Sequence, residues 1–256
     1  MQRKILSLGL MSVLLWGASC TTHYTLTTID RTRVLIDNRY DAHPDVQAAA
    51  FLAPYEVKVD SMMKPVVGHA GCDLTVDRPE TPLSNLLADV LIWASSQYNE
   101  KPDFSVYNIG GIRASLAQGD VTIGDILEVA PFENKICFLT LTGEKVQELF
   151  SQIAIQGGEG VSRGIQLVIT KDGKLISGKL NGKDINPKAT YRIATLDYLA
   201  QGNDRMVAFK AKTDVNQPDG EQNNIRYLIM DYFREQAKQG KAVTAEVEGR
   251  VKIKED

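Results

Sequence analysis

Apolar positions along the chain follow two rhythms. Leu83, Leu86, Leu87, Val90, Leu91 and Ala94 fall three and four residues apart and predict an amphipathic helix. The same spacing recurs at Val146, Leu149, Phe150 and Ile153, where Thr142 is the predicted N-cap. It recurs again at Ile225, Leu228, Ile229, Tyr232 and Phe233, with Gly240 beyond the end. A looser set, Val46, Ala49, Ala50, Ala53 and Val57, predicts a helix from His43-Pro44-Asp45 to about Met63. Short apolar or alternating runs predict strands at 33–36, 65–73 (strand and loop), 104–109, 135–141, 165–169, 175–180, 191–196 and 247–253. Asp172-Gly173 marks a hairpin and Asn181-Gly182 a further turn, while 157–160 and 207–222 read as loops. Strands and helices mix without strict alternation, which predicts an α+β (mixed α/β) fold.

The first residues follow neither rhythm. Arg3 and Lys4 precede an apolar run, 5–16, and then Gly17-Ala18-Ser19-Cys20. A basic start, a short apolar core and small residues before a cleavage point make a secretory signal over 1–19. The run is too short to span a bilayer. Cys20 behind three small residues is similar to the lipobox of bacterial lipoproteins, with Gly17 where that box usually has Leu. The expectation is a lipid on Cys20, a membrane anchor, and a place in the bacterial cell envelope on the periplasmic side. The alternative is an ordinary signal peptide with Cys20 incidental. Residues 20–64 then read as a tether, a strand and a linker-type helix, and 65–256 as the main domain.

The chain carries 29 basic and 32 acidic residues. Without Arg3 and Lys4 the balance is 27 against 32, a net charge of −5. A mildly acidic chain argues against nucleic acid as a partner, since phosphate backbones demand a basic patch. Cys72 and Cys137 are left, and an exported chain could pair them or leave them free.

Candidate chemistry gathers where two predicted strands end. The run at 104–109 closes on Asn108, Gly110, Gly111 and Arg113. Glycine lets backbone approach a ligand closely, and a guanidinium forks onto phosphate, carboxylate or vicinal hydroxyls. Phe132 follows in a Pro131-Phe132-Glu133-Asn134 loop. After the second strand come Tyr198, Gly202, Asn203 and Asp204. The plain alternative is a simple turn, with Phe132 and Tyr198 as core residues.

Three runs in this order, Asn108-Ile109-Gly110-Gly111-Ile112-Arg113, Pro131-Phe132-Glu133, and Tyr198 ahead of Gly202-Asn203-Asp204, resemble the C-terminal domain of the 5′-nucleotidase family. Its signatures are Asn-x-Gly-Gly-Ile-Arg, Pro-Phe-Gly, and an aromatic before a Gly-Gly-Asp turn. The resemblance runs from Pro65 to the C-terminus and implies a single domain with a mixed sheet and flanking helices. It implies that Phe132 and Tyr198 sandwich a base, that Asp204 accepts from ribose hydroxyls, and that Asn108 reads a base or sugar edge. It assigns phosphate or sugar oxygens to Arg113, and to Arg78, which precedes the family's Gly-Asn-Leu helix start. Arg78 reads equally as a solvated loop arginine. The departures are Ser84, Glu133, Asn203 and Arg205, each where the family usually has Gly.

The family's catalysis belongs to an N-terminal calcineurin-like domain with two metals. His23, His43 and His69 match none of that domain's metal-binding runs, so we expect no catalytic residue and no metal ligand in this chain. There is also no Gly-x-Ser-x-Gly elbow, P-loop or dinucleotide fingerprint. The leading expectation is the nucleotide- or nucleoside-recognition half of a split 5′-nucleotidase, with divalent metals on a separate metallophosphatase chain. The alternatives are a stand-alone exported nucleoside- or nucleotide-binding lipoprotein and an interaction module whose pocket has decayed.

Overall fold

The computed structural model describes residues 26–254. The predicted signal and Cys20 lie outside the described residues. The chain divides into two units, 1–51 and 52–256.

In the first unit, Asp37 caps a single 3-10 turn, Asn38–Tyr40, by accepting from the Arg39 amide. The strand expected at 33–36 does not form: Val34 is 71% and Ile36 95% exposed, with no ladder partner among the described residues. A β-rich composition yields a strand only where another strand satisfies its backbone. Helix α1, Val46–Met63, runs across the division. Asp45 starts it by accepting from the Gln47 and Ala48 amides at 2.9 and 3.0 Å. It contains Pro54, and none of its residues is buried. Among the described residues, no helix is long and apolar enough to cross a membrane.

The second unit is built on a five-stranded mixed sheet. Its members are β2 (Phe104–Tyr107), β4 (Ile136–Thr142), β5 (Gly160–Val161), β9 (Thr190–Leu196) and β10 (Thr213–Asn216), in the order β10-β4-β9-β2-β5. Strands β2 and β9 are parallel, Phe104 facing Ile193, and the other pairs are antiparallel. All four residues of β2 are buried, as expected of a strand covered on both faces. Helix α2 (Pro82–Ser95) packs on β2, and α4 (Gly143–Ile155) on β4 and β9. Thr142 caps α4 as predicted, accepting from the Lys145 amide.

Two smaller sheets complete the domain. Strands β1 (Val66–Ala70) and β3 (Gly119–Thr122) pair antiparallel ahead of helix α3 (Ile123–Val129). Strands β6 (Ile165–Ile169), β7 (Leu175–Leu180), β8 (Lys183–Asp184) and β11 (Val251–Ile253) form the other, in the order β11-β6-β7-β8. The Asp172-Gly173 hairpin forms between β6 and β7. The short helix α5 (Asp197–Ala200) follows β9, and α6 (Ile225–Lys238) packs on β1 and α2.

Several expected boundaries change. The loop at 207–222 contains a 3-10 helix, Val207–Ala211, and the edge strand β10. The closing strand is confined to Val251–Ile253, and 157–160 runs directly into β5. Cys72 and Cys137 are both free. Burial pushes the Cys137 thiol up to about 11.

Candidate functional site

Strand directions bring the candidate residues together. Because β2 and β9 are parallel and adjacent, their carboxyl ends lie side by side. Because β4 is antiparallel to β9, with Ile136 opposite Leu196, the loop entering β4 arrives at the same edge. Asp197 fastens that loop: its amide donates to the Lys135 carbonyl at 2.9 Å, and its Oδ1 accepts from the Lys135 amide at 3.1 Å. So Asn108, Phe132 and Tyr198, far apart in sequence, share one edge.

There Asn108, Gly110, Gly111, Phe132, Asn134, Tyr198 and Asp204 line a cavity of about 220 Å³. Phe132 is 48% and Tyr198 37% exposed. Rings left that open to water are not core packing. The run expected to be strand through Ile109 turns sooner: β2 stops at Tyr107, and Ile109–Gly111 forms a 3-10 turn. A Cβ on Gly111 would sit 2.9 Å from the Asn108 amide group, so only glycine leaves that side chain room.

Asp204 is held from two sides. Tyr198 Oη donates to its Oδ1 at 2.9 Å, and Asn108 Nδ2 to its Oδ2 at 2.6 Å. The bond to the Asp204 carboxylate holds the Tyr198 phenol above its ordinary pKa. A carboxylate can accept about four hydrogen bonds, so Asp204 keeps capacity for hydroxyls of a ligand. Asn108 is 3% exposed, and its Oδ1 has no hydrogen-bond partner among the described residues.

The turn carrying Asp204 is left-handed at Gly202 (φ 84), Asp204 (φ 49) and Arg205 (φ 59). Asn203, which stands where the family usually has Gly, is not among the positive-φ residues. Its side chain instead donates to the Tyr198 carbonyl at 2.8 Å. Arg205 adopts a left-handed backbone, a strained conformation for a residue with a long side chain. Ser84, also at a family glycine, is buried, and its Oγ bonds the Thr81 amide and carbonyl, both at 3.0 Å, in a capping box for α2.

The two arginines stand outside the lining. Arg113 is exposed, with Nη1 3.4 Å from the Gly110 carbonyl. Arg78 Nη2 pairs at 2.7 Å with Glu159, whose side chain is fully buried, and Arg78 Nη1 donates to the Gly158 carbonyl. Burial pushes the Glu159 carboxyl above its usual range, against the charge of Arg78. Among the described residues, no three His, Cys, Asp or Glu side chains gather as a metal site. His69 lies 3.1 Å from Asp120 on the surface.

Two participants escape a reading of the sequence. Asn134 lines the cavity, and its only signal is its place two residues after Phe132. Glu159 sits among glycines, a setting that looks like solvent-exposed loop, and nothing local announces its burial.

Comparison with known proteins bears on the family and the fold. The sequence profile of the 5′-nucleotidase C-terminal domain matches residues 65–211, more than half of the chain. Among curated relatives, Endonuclease YhcR of Bacillus subtilis is 31% identical over 195 residues, 72% of this chain and 16% of its own length. Protein UshA of Escherichia coli is 30% identical over 161 residues, 62% of this chain and 29% of its own. This chain thus spans under a third of those relatives. Among solved structures, the 5′-nucleotidase precursor of Thermus thermophilus superposes with a TM-score of 0.72 at 25% identity, over 84% of this chain and 45% of that one. The chain belongs to the 5′-nucleotidase C-terminal domain family.

Proposed function

We propose that this chain recognises the nucleoside part of a nucleotide and presents the phosphate to a two-metal phosphatase carried on a separate chain. One observation carries the reading: Phe132, Tyr198 and Asp204 line a single cavity, with the carboxylate already oriented by Tyr198 and Asn108. In this reading the two rings grip a base, and Asp204 accepts from ribose hydroxyls. Metals on the partner would generate the attacking hydroxide. This chain would gain rate for the pair by orientation, since fixing a substrate removes much of the entropy of encounter. The residues that can do this are present, whereas the three histidines lie in none of the family's metal-binding runs.

A second reading, a stand-alone nucleoside-binding protein, is favoured by the lining itself. None of its side chains is cationic, so adenosine should bind there as well as AMP. In both readings we place the chain in the cell envelope, held by a lipid on Cys20. Cys20→Ser should then release it from membranes or block its processing.

The test is phosphate release from a nucleotide panel by the purified chain, alone and with a co-expressed metallophosphatase. The chain alone should bind nucleosides and hydrolyse nothing with any divalent metal, and the pair should hydrolyse. Robust metal-dependent release by the chain alone would refute the split arrangement. Binding without any productive partner would favour the second reading.

A further inference from the structure

Glu159 is a charged residue with a fully buried side chain, in a loop whose sequence, Gly157-Gly158-Glu159-Gly160, promises none of that. Burying a carboxylate is costly unless every oxygen is used. Both are used. Oε1 takes the Arg78 guanidinium at 2.7 Å, and Oε2 takes the Ile109 backbone N–H at 2.5 Å. Ile109 follows Asn108 directly and opens the 3-10 turn whose Gly110 and Gly111 line the cavity. Fixing its amide fixes where that turn leaves β2. That in turn fixes the Asn108 side chain wedged against Gly111 and bonded to Asp204.

The same loop reaches the other half of the cavity. Gln156 Nε2 donates to the Asp204 backbone carbonyl at 2.9 Å. The segment between α4 and β5 therefore holds both the β2 end and the β9 end of the site. Gly158, at φ 108, lies so close to Pro79 that a Cβ would fall 2.3 Å from its carbonyl oxygen. The loop is thereby seated against the segment carrying Arg78.

We infer that Glu159 is a positioning residue of the nucleoside site: it acts through the Ile109 amide, assisted by Gln156, and it makes Arg78 its counter-ion. The inference rests on the proposed reading of the cavity. It changes one expectation, because an Arg78 paired inside the chain steadies the site and leaves ligand oxygens to other groups.

The test uses the full chain and two variants. Glu159→Leu removes both acceptors, while Glu159→Gln keeps one acceptor for Ile109 N–H and removes the charge. An unpaired buried amide costs about 1–3 kcal/mol. Hydrogen exchange at 108–113 in ligand-free Glu159→Leu should therefore quicken about tenfold or more, with β4 and α6 unchanged. Adenosine, measured by calorimetry per folded molecule, should bind about tenfold more weakly. Glu159→Gln should recover most of both effects. If Glu159→Leu fails to fold, Gln156→Ala carries the comparison with local quickening expected at 203–205, while Glu159→Gln should exchange at 108–113 close to wild type, and marked quickening there would overturn the inference. Unchanged exchange at 108–113 in Glu159→Leu would overturn the inference, as would a Glu159→Gln protein as impaired as Glu159→Leu. A wild-type chain that binds no adenosine would instead sink the functional reading, leaving exchange to decide the role of Glu159.

Discussion

Two hollows of the domain can be set side by side, and the smaller of them is the more informative. The larger, about 840 Å³, lies between α2, α6 and the segment 244–250, with Trp93 and Tyr232 edge to face on its wall at 5.2 Å. Its two arginines are spent within the chain. Arg250, 4% exposed, gives two bonds to Asp89 at 2.9 and 2.6 Å, one to Glu248 at 2.9 Å and one to the Val161 carbonyl at 2.8 Å. Arg163 also pairs with Glu248. The 220 Å³ cavity at the strand ends is the opposite case. Two rings stand partly in water, a buried amide oxygen lacks a partner, and a carboxylate is oriented with acceptor capacity left over. Volume therefore does not locate a site. Bonding capacity that the fold has arranged and not consumed does.

If charges in the larger hollow serve the fold, breaking them should cost stability and spare binding. Asp89→Ala strips the buried Arg250 of its two-pronged partner. Unfolding stability should fall by about 3 kcal/mol, the lower end for a broken buried pair because Glu248 remains. Adenosine affinity per folded molecule should not move. Denaturant titration beside calorimetry checks both, and a tenfold loss of affinity would erase the distinction between the hollows.

A second paired group gives the distinction a pH signature. Arg192 donates its Nε to Glu100 at 2.8 Å, and this bond holds the Glu100 carboxyl below its ordinary pKa. A depressed folded value stabilises above the unfolded pKa and is lost as pH falls through the folded one. Glu100→Gln should thus cost about 1–2 kcal/mol at neutral pH. The gap from wild type should close below the usual glutamate range. A gap that stays constant into acid would assign the loss to packing.

The smallest effect concerns strain at the site. Arg205 holds φ 59, at the position where the resemblance led us to expect Gly. Arg205→Gly should stabilise by about 0.5–1 kcal/mol, the left-handed penalty being partly offset by glycine's unfolded entropy. A thermal melt decides it. A destabilised variant would mean that the Arg205 side chain makes a contact worth more than the strain it causes.

Much of this was legible from the residues. The helices at 82–95, 143–155 and 225–238 follow from periodicity and the hairpin from Asp172-Gly173, whereas the meeting of the Asn108 and Tyr198 motifs at one site was what the family resemblance implied. What escaped depends on partners distant in sequence. Strand β10 is largely exposed and has no apolar alternation, and only its pairing with β4 makes it a strand. The 33–36 run has the composition and lacks the partner. Glu159 is buried because Arg78, some eighty positions away, and the Ile109 amide, fifty away, converge on it. The pairing of Arg78 was equally invisible, since its partner belonged to an apparent loop.

The central claim is that rings left exposed at the strand ends grip a base. Base–aromatic stacking is worth about 1–3 kcal/mol per base. Calorimetric titration of Phe132→Ala with adenosine, run beside its melting curve, tests this most directly. The account predicts affinity lower by roughly tenfold to a hundredfold, with a melting temperature close to wild type because the ring is 48% exposed. Full affinity in a folded Phe132→Ala protein would contradict it.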